Sequence, residues 1–476
     1  MATLVLTAVG TALGGPLGGA IGGIIGQSID QQLFGPGIRT GPRLGDLSVQ
    51  TSSYGSPIPR LYGTMRVAGT VVWATDLKEE ETVAGGGKRS AETIAYRYSA
   101  SFAVALSSRP VISVKRIWAD GKLIRGAAGD FKVRTEFRLA NGSEDQAVDP
   151  LIASIETIAL TGAFRGLALA VFEDLDLGEF GNRIPVLTFE VEADAGDVAL
   201  SALMFDASGG AIEASDADLV AGYAAHGRSI GDSLAPLVEL YGTELREEAG
   251  RLRSPDPAAI DDISEEALGC SADARPEARV ERSRASDAAM PAGLAMTYHD
   301  SARDYQTGQM RASSGRSGAR EERIELPAVL TAAAAKQLVE DALARRLATG
   351  DRVKLALPPS RLSIQVGDRF RLPGSATIWA VRRVSIEAMI AMIDASPAIV
   401  GAGLLAADPG RPVTEPDVAI GRSVPLLIEP PALGDDIGEA VSAYLAVGSD
   451  GAWKPVTVET FEIGRASCRE RVSVLV

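Results

Sequence analysis

The sequence predicts an α+β protein, predominantly β, spread over several domains. Three observations carry this. From Thr93 to Ser107, Ile94, Tyr96, Tyr98, Ala100, Phe102, Val104 and Leu106 alternate with Arg97, Ser99, Ser101, Ala103 and Ala105. That is the period of a half-buried strand. Asp120-Gly121 divides Val111–Trp118 from Lys122–Arg125, and both turn residues tolerate positive φ, as a tight hairpin requires. Sustained helical stripes with caps occur at only two places in the folded middle of the chain, near Ser229 and Thr331.

In chain order, the first 29 residues carry no charge. Gly10, Gly14, Gly18, Gly22 and Gly26 recur every four residues, beside Gly15, Gly19 and Gly23. On a helix this spacing makes one side-chain-free face, against which another backbone can lie close. The stretch 1–34 therefore reads as an apolar, Gly-rich helix, although Pro16 would kink it. A buried packing element of an oligomer and a membrane-active segment both fit residues 1–29. A signal peptide does not, because the positive leading region is missing.

Residues 35–195 read as a first β-rich domain. Met65–Thr75 forms a strand with Gly69 marking a bulge or a close backbone approach. Lys78–Glu92, with Glu79-Glu80-Glu81 and Gly85-Gly86-Gly87, reads as an exposed hairpin tip. Asp149-Pro150 starts a short helix with Leu151, Ile152 and Ile155 on its apolar face. Leu167–Phe172 and Pro185–Ala193 return to strand. Residues 196–408 mix both structures. Ser229 caps a helix striped with Ile230, Leu234, Leu237, Val238 and Tyr241, and Thr331 caps another that stops at Gly350. Arg352–Leu357, Arg369–Leu372 and Ile378–Ile386 are strands, with a turn at Val366-Gly367-Asp368; Ser254–Gly293 reads as a long surface excursion. A Pro-rich, β-containing segment occupies 409–461. Residues 462–476 begin EIGRASCRERV, which looks like a translated sequencing adapter rather than native sequence.

Composition narrows the function. The chain has 476 residues, with 47 Lys+Arg against 62 Asp+Glu, a net charge of −15. That balance argues against gripping nucleic acid through its phosphates. Two cysteines and two histidines exclude a disulfide framework and a zinc site built from Cys and His alone. Motifs are scarce. Gly227-Arg228-Ser229-Ile230-Gly231 fits the G-x-S-x-G elbow, but Asp218–His226 before it reads as helical or irregular, so Ser229 is a helix cap. Gly401-Ala402-Gly403-Leu404-Leu405-Ala406 resembles a dinucleotide fingerprint, yet Pro409, Pro412 and Pro416 interrupt the helix and strand it needs. His299-Asp300 and Arg303-Asp304-Tyr305 read as a solvated turn. No catalytic residue, cofactor or metal ligand is assigned.

Several phrases in order resemble the hub, or host-specificity, protein at the tip of siphophage-like tails, and most closely the baseplate hub of bacterial gene transfer agents. They are MATLVLTAVGTALGGPLGGAIGG with IDQQLFG, then IPRLYGTMRVAGTVVWATDL, YRYSASFAVALSSRPV, RIWADGKLI, GSEDQAVDPLI, FRGLALAVFEDLDL and FGNRIPVLTFEVEA, then AMTYHDSARDYQTG through LSIQVGDRFRL. The resemblance implies hub-type β domains and structural roles for Gly63, Arg66, Gly69, Trp73, Trp118, Asp120, Gly121, Gly181, Asn182, Arg183, Pro185, Tyr305, Gly367 and Asp368. It implies a non-enzymatic homotrimer at the tail tip of a virion or gene transfer agent, assembled in the bacterial cytoplasm. Its partners would be a distal tail protein and the tape-measure protein, with DNA only in transit and the host envelope met through a missing C-terminal part. The glycosidase-like barrel that some members carry is missing after Ala193. A tail-associated peptidoglycan hydrolase and a pore-forming membrane protein are the alternatives.

Overall fold

The computed structural model describes residues 57–399 apart from 85–92, 157–160, 217, 257–258, 272–278 and 316–319, together with 39–40, 407, 417, 423–428, 444–449 and 473–474. The glycine face of residues 10–26, the fingerprint at 401–406 and nearly all of the adapter-like tail lie outside the described residues.

The first stretch holds β1 (Arg60–Ala68), β2 (Thr70–Ala74), β3 (Lys78–Ala84), β4 (Thr93–Ser107), β5 (Ser113–Ala119), β6 (Lys122–Arg125), β7 (Glu136–Ala140), α1 (Pro150–Glu156), β8 (Ala168–Asp176) and β9 (Leu187–Glu192). The second holds α2 (Leu200–Ala207), β10 (Gly222–Ala225), α3 (Ile230–Tyr241), β11 (Ile260–Asp262), β12 (Glu281–Arg284), β13 (Gly293–Asp300), β14 (Gln306–Ser313), β15 (Glu321–Leu330) and α4 (Ala332–Ala348). After these come β16 (Asp351–Leu357), β17 (Arg369–Arg371), β18 (Ile378–Glu387) and β19 (Ile390–Pro397). The protein is α+β with β predominant, as the sequence predicts.

Three larger sheets organise these elements. In the first, β4 pairs with β2, β3 and β8, and β8 with β7. The second has eight strands in the order β14-β13-β15-β10-β1-β9-β5-β6. It therefore joins strands from both sides of residue 195. The third runs β11-β17-β18-β19-β16-β12.

Each sheet supplies a core. The first core lies between the first sheet and the shared sheet, uniting Phe102, Val104 and Phe172 with Met65, Ile117 and Phe189. Phe172 stacks on Phe102 at 5.0 Å and meets Phe137 edge-on at 5.3 Å. Burying each such side chain contributes about 1.5–3 kcal/mol. The second core packs the other end of the shared sheet against α2, α3 and α4 through Tyr62, Tyr223, Leu203, Leu237 and Val339. The third gathers Leu355, Phe370, Trp379 and Ile393 on the third sheet.

Local chemistry explains the elements that match expectation. Ser229 Oγ accepts the Asp232 N–H at 3.0 Å and Thr331 Oγ1 the Ala334 N–H at 3.2 Å, so both helices start where a side-chain oxygen meets a free amide. Asp149 caps α1 in the same way. Asp120 and Gly121 have φ of 48° and 85°, the two left-handed residues of the β5–β6 hairpin.

Other expectations are corrected. The strand expected over Met65–Thr75 breaks at Gly69, where the chain leaves the shared sheet for the first. A Cβ there would sit 2.1 Å from Val104 Cγ1, so the close approach expected of this glycine is where the sheets cross. β4 is buried on both faces from Tyr98 to Ser107, not half-buried, because α1 covers the second face: Ala103 packs with Ile152 and Val171. Ile155 points outward, 52% exposed. Glu79-Glu80-Glu81 is no loop; it lies in β3, where Glu79 takes the Tyr98 hydroxyl at 2.9 Å and Lys78 reaches Asp174 at 2.8 Å. Leu219–Val220 and β10 make the stretch before Ser229 strand rather than helix. The excursion at 254–293 contributes β11 and β12 to the third sheet. α4 ends on Thr349 in right-handed geometry, and Gly350 lies beside the thioether of Met290, with a Cβ position 2.7 Å from its Sδ. Asp300 is 1% exposed and caps the turn Ser301–Arg303, so the expected turn forms with Ser301 and Ala302 exposed but Asp300 drawn inside.

Beyond the third sheet, Ser423–Ile428 pairs with Tyr444–Ser449. Asp417 returns to the first stretch: its carboxylate accepts the Ala127 N–H at 2.8 Å and meets Lys132 Nζ at 3.2 Å.

Candidate functional site

One network of charged and aromatic groups lies where the shared sheet meets the loop between β13 and β14. Alternation on β1, β9 and β5 sends Val67, Phe189 and Ile117 into the first core. The intervening residues Arg66, Thr188, Glu190 and Trp118 therefore share the opposite face. The β9–β5 register shifts between Phe189 and Val191, a bulge beside Arg116. Arg66 lies over the Trp118 ring at 3.8 Å and Arg116 at 4.9 Å. Arg116 donates to Glu190 at 2.5 Å and to Asp304 at 2.5 Å. The Tyr305 hydroxyl donates to Glu190 at 3.0 Å, and Arg66 donates to Thr188 at 2.9 Å.

The loop reaches this face through strained backbone. Asp304 and Tyr305 have φ of 58° and 60°, consecutive left-handed residues without a glycine. Such conformations cost roughly 1–2 kcal/mol each and persist where surrounding contacts over-determine them. Here the contacts are the Arg116–Asp304 ion pair, the Tyr305–Glu190 hydrogen bond and the packing of Tyr305 against the first core. Burial and the Glu190 charge hold the Tyr305 phenol well above its ordinary range. It acts as a fixed donor, not an acid.

A second network binds β1 to α2. Arg109 grips Asp194 through two bonds of 2.7 and 2.8 Å and donates to the Leu61 carbonyl at 2.8 Å. Asp194 also accepts the Gly63 N–H at 2.9 Å. Burial pushes the Asp194 carboxyl up, but the Arg109 and Gly63 bonds outweigh it and hold the group below its ordinary value. Tyr62 donates to Asp206 of α2 at 2.8 Å, and burial, with that carboxylate, lifts its phenol to about 12.

The residues singled out from the sequence fall into separate groups. Arg66, Trp118 and Tyr305 meet in the first network. Gly63 sits in the second with φ of 63°, and a Cβ there would lie 2.2 Å from the Ala221 carbonyl oxygen. Asp120 and Arg183 pair at 2.8 Å, and Asp120 accepts the Val186 N–H at 2.9 Å, beside the left-handed Gly181 and Asn182 that carry the chain to Pro185. Trp73 stands apart, its indole on Glu156 at 3.1 Å. Gly367 (φ 88°) and Asp368 serve the third sheet, where Asp368 takes the Gln365 N–H at 2.9 Å and Arg246 at 2.7 Å. Arg109, Arg116, Glu190, Asp194, Asp206 and Asp304 were not singled out for a role at the junction. The one sequence signal was their placement at the polar positions or ends of apolar strands.

Chemically these networks join elements through ion pairs and hydrogen bonds. Although a strand precedes it, Ser229 is extended (φ −140°, ψ 164°), not strained, and its oxygen is engaged as a cap. His299 Nδ1 faces the Tyr305 carbonyl at 3.3 Å. Among the described residues no group of three or more His, Cys, Asp or Glu could hold a metal, and no helix is long and apolar enough to cross a membrane.

Residues 229–384 match a family model described as "Putative phage tail protein". A chain from the virion of a native gene transfer agent particle is similar at 28% identity, over 86% of this chain and 99% of that one, with a TM-score of 0.61. A tail protein from Neisseria meningitidis MC58 aligns at 10% identity over 70% of this chain and 96% of that one, with a TM-score of 0.29. A 43 kDa tail protein of a Shewanella oneidensis prophage aligns at 10% over 70% and 98%, with a TM-score of 0.28. No curated protein matches the chain.

Proposed function

We propose that this chain, a phage tail protein related to the gene transfer agent, is the hub of a tail tip. Three copies would close into a ring under the tail tube, meet a distal tail protein above, surround the end of the tape measure and take part in envelope attachment. The observation that carries this reading is the likeness to a chain of the gene transfer agent virion, which takes in almost all of that chain. The networks agree with it. Arginine–carboxylate clamps and a sheet shared by two cores make a stiff wedge, which suits a part that works by shape. A net charge of −15 repels phosphate weakly, which suits a conduit through which DNA passes without being held. The role is therefore structural and not enzymatic. The glycine face at Gly10, Gly14, Gly18, Gly22 and Gly26 would line the threefold contact or the lumen, with residues 1–29 free to touch a membrane.

Mass photometry of the full chain tests the ring. A trimer of three 49.5 kDa subunits is expected, and threefold density at the end of tails when the chain is co-expressed with its neighbouring tail proteins. A chain that stays monomeric at every concentration, or that clears peptidoglycan in a zymogram, would overturn the reading.

A further inference from the structure

The ends of the three larger sheets differ in how they are guarded. An open edge presents unpaired backbone groups, and proteins blunt it with charges, proline, a bulge, short length or a covering loop. In the first sheet β3 opens with four charged residues in a row, β2 carries a register shift, and β7 has five residues of which two are charged. In the third, β11 is three residues with two aspartates, and β12 has three charges in four residues. At one end of the shared sheet β6 is covered: the Lys132 N–H donates to the Ile124 carbonyl at 2.8 Å, and Phe131 bridges to Arg125. The strand at the other end, β14, has none of these devices of its own. It runs eight residues without proline, has Arg311 as its only charge, and pairs with β13 in unbroken register.

That register shows which backbone groups are open. Just past the ladder, the Ser314 N–H donates to the Ala292 carbonyl at 2.8 Å. Hydrogen-bonded pairs alternate along an antiparallel ladder, so the even-numbered residues of β14 bond to β13. The odd-numbered Thr307, Gln309 and Arg311, all exposed, turn their N–H and C=O groups outward. Lys336 Nζ of α4 meets the Arg311 carbonyl there at 2.8 Å, which agrees with that direction. The other outward groups of these three residues have no hydrogen-bond partner among the described residues.

We propose that β14 is where one copy of this chain pairs, strand to strand, with the next; this rests on the ring proposed above. A closed ring of three is built from a contact between two different surfaces of neighbouring copies. Two β14 edges meeting each other would give a closed pair instead, so the neighbour presents another strand. Each copy carries a net charge of −15, and contact forms most readily where acidic surfaces do not face each other. The β14 edge meets that condition, with Arg311 as its only charge and Lys336 beside it. The neighbour's strand adds as a ninth. It accepts from the Thr307, Gln309 and Arg311 amides and donates to the Thr307 and Gln309 carbonyls, so main-chain bonds supply the affinity.

Hydrogen exchange of the full chain, resolved to single residues by electron-transfer fragmentation, tests this at concentrations below and above trimer formation. The Thr307, Gln309 and Arg311 amides should exchange freely in the monomer and at least about tenfold more slowly in the trimer, while those of Gly308, Met310 and Ala312 are slow in both. Gln309→Pro removes the central outward donor at a position where an edge strand accepts proline. It should weaken assembly about tenfold, the effect of one lost hydrogen bond with its acceptor left unpaired. Gln309→Ala keeps the amide and should assemble as the unaltered chain does. If Gln309→Pro melts lower as a monomer, the exchange pattern of the unaltered chain decides alone. A trimer whose three odd-numbered amides still exchange freely, or a Gln309→Pro chain that folds and assembles unchanged, would overturn the pairing and leave the ring standing. Protection that comes only when another tail protein is added would give the edge to that protein and overturn it as well. A chain that never assembles would remove the ring and the pairing together.

Discussion

The first and second cores are joined very differently from the second and third. Between the first two runs a continuous ladder: β1 pairs with β9 on one side and β10 on the other. Arg109, Asp194, Arg116, Glu190 and Asp304 lock that seam from sites that are at most one-third exposed. The third sheet shares no strand with the others. Its polar links to the second core are Arg246–Asp368 at 2.7 Å and the Arg382–Glu244 pair, with Gly367 close against Pro255. A continuous backbone ladder makes one stiff unit of the first two cores, whereas side-chain pairs of similar burial, and no shared strand, tie the third sheet to them. The same chain therefore contains a fused body and an attached one.

The comparison can be broken most severely at Gly63. Its left-handed φ and the 2.2 Å approach to Ala221 leave no room for a methyl group, so Gly63→Ala should cost about 3 kcal/mol and lower the melting of both fused cores together. Asp194→Asn comes next, at about 1–2 kcal/mol near neutral pH, because a half-buried Arg109 loses its counter-charge. The sign in acid follows from the depressed Asp194 pKa. Its contribution is complete above the unfolded value, about 3.9, and disappears as pH falls through the lower folded value. Chemical denaturation should find the gap between Asp194→Asn and the unaltered chain closing below about pH 4. At the other seam Arg246→Ala should cost about 1 kcal/mol, since it removes one charge-assisted hydrogen bond and no ladder. It should leave the fused body's melting unchanged while speeding hydrogen exchange in residues 351–397, an effect that high salt should imitate. The smallest effect is a gain. Ala388 and Met389 form the β18–β19 turn with φ of 48° and 65°, and Met389→Gly should stabilise the third sheet alone by about 0.5 kcal/mol. Equal hydrogen-exchange responses of both bodies to Arg246→Ala and to Asp194→Asn would erase the distinction.

What could be read in advance was what neighbouring residues decide. The limits of β4, the Ser229 and Thr331 caps and the Asp120-Gly121 turn depend on residues a few positions apart, and their chemistry is visible in the string. What could not be read depends on distant partners. Gly69 divides two sheets because Val104 and Phe189 arrive beside it. Glu79-Glu80-Glu81 becomes strand because β4 offers a ladder that outweighs the repulsion of three carboxylates. Arg116 and Asp304 are 188 positions apart, and no periodicity links them. Trp118 and Tyr305 were noticed through resemblance, but the carboxylates that join them were not.

The return of the chain at Asp417 has a mechanical consequence. The 19 residues from 398 to 416 separate the end of the third sheet from an anchor on the loop beside β6. A pull on anything attached after residue 417 is delivered first to that anchor, and so to the stiff frame. The third sheet lies before that anchor in the chain, so such a pull meets the frame ahead of its strands.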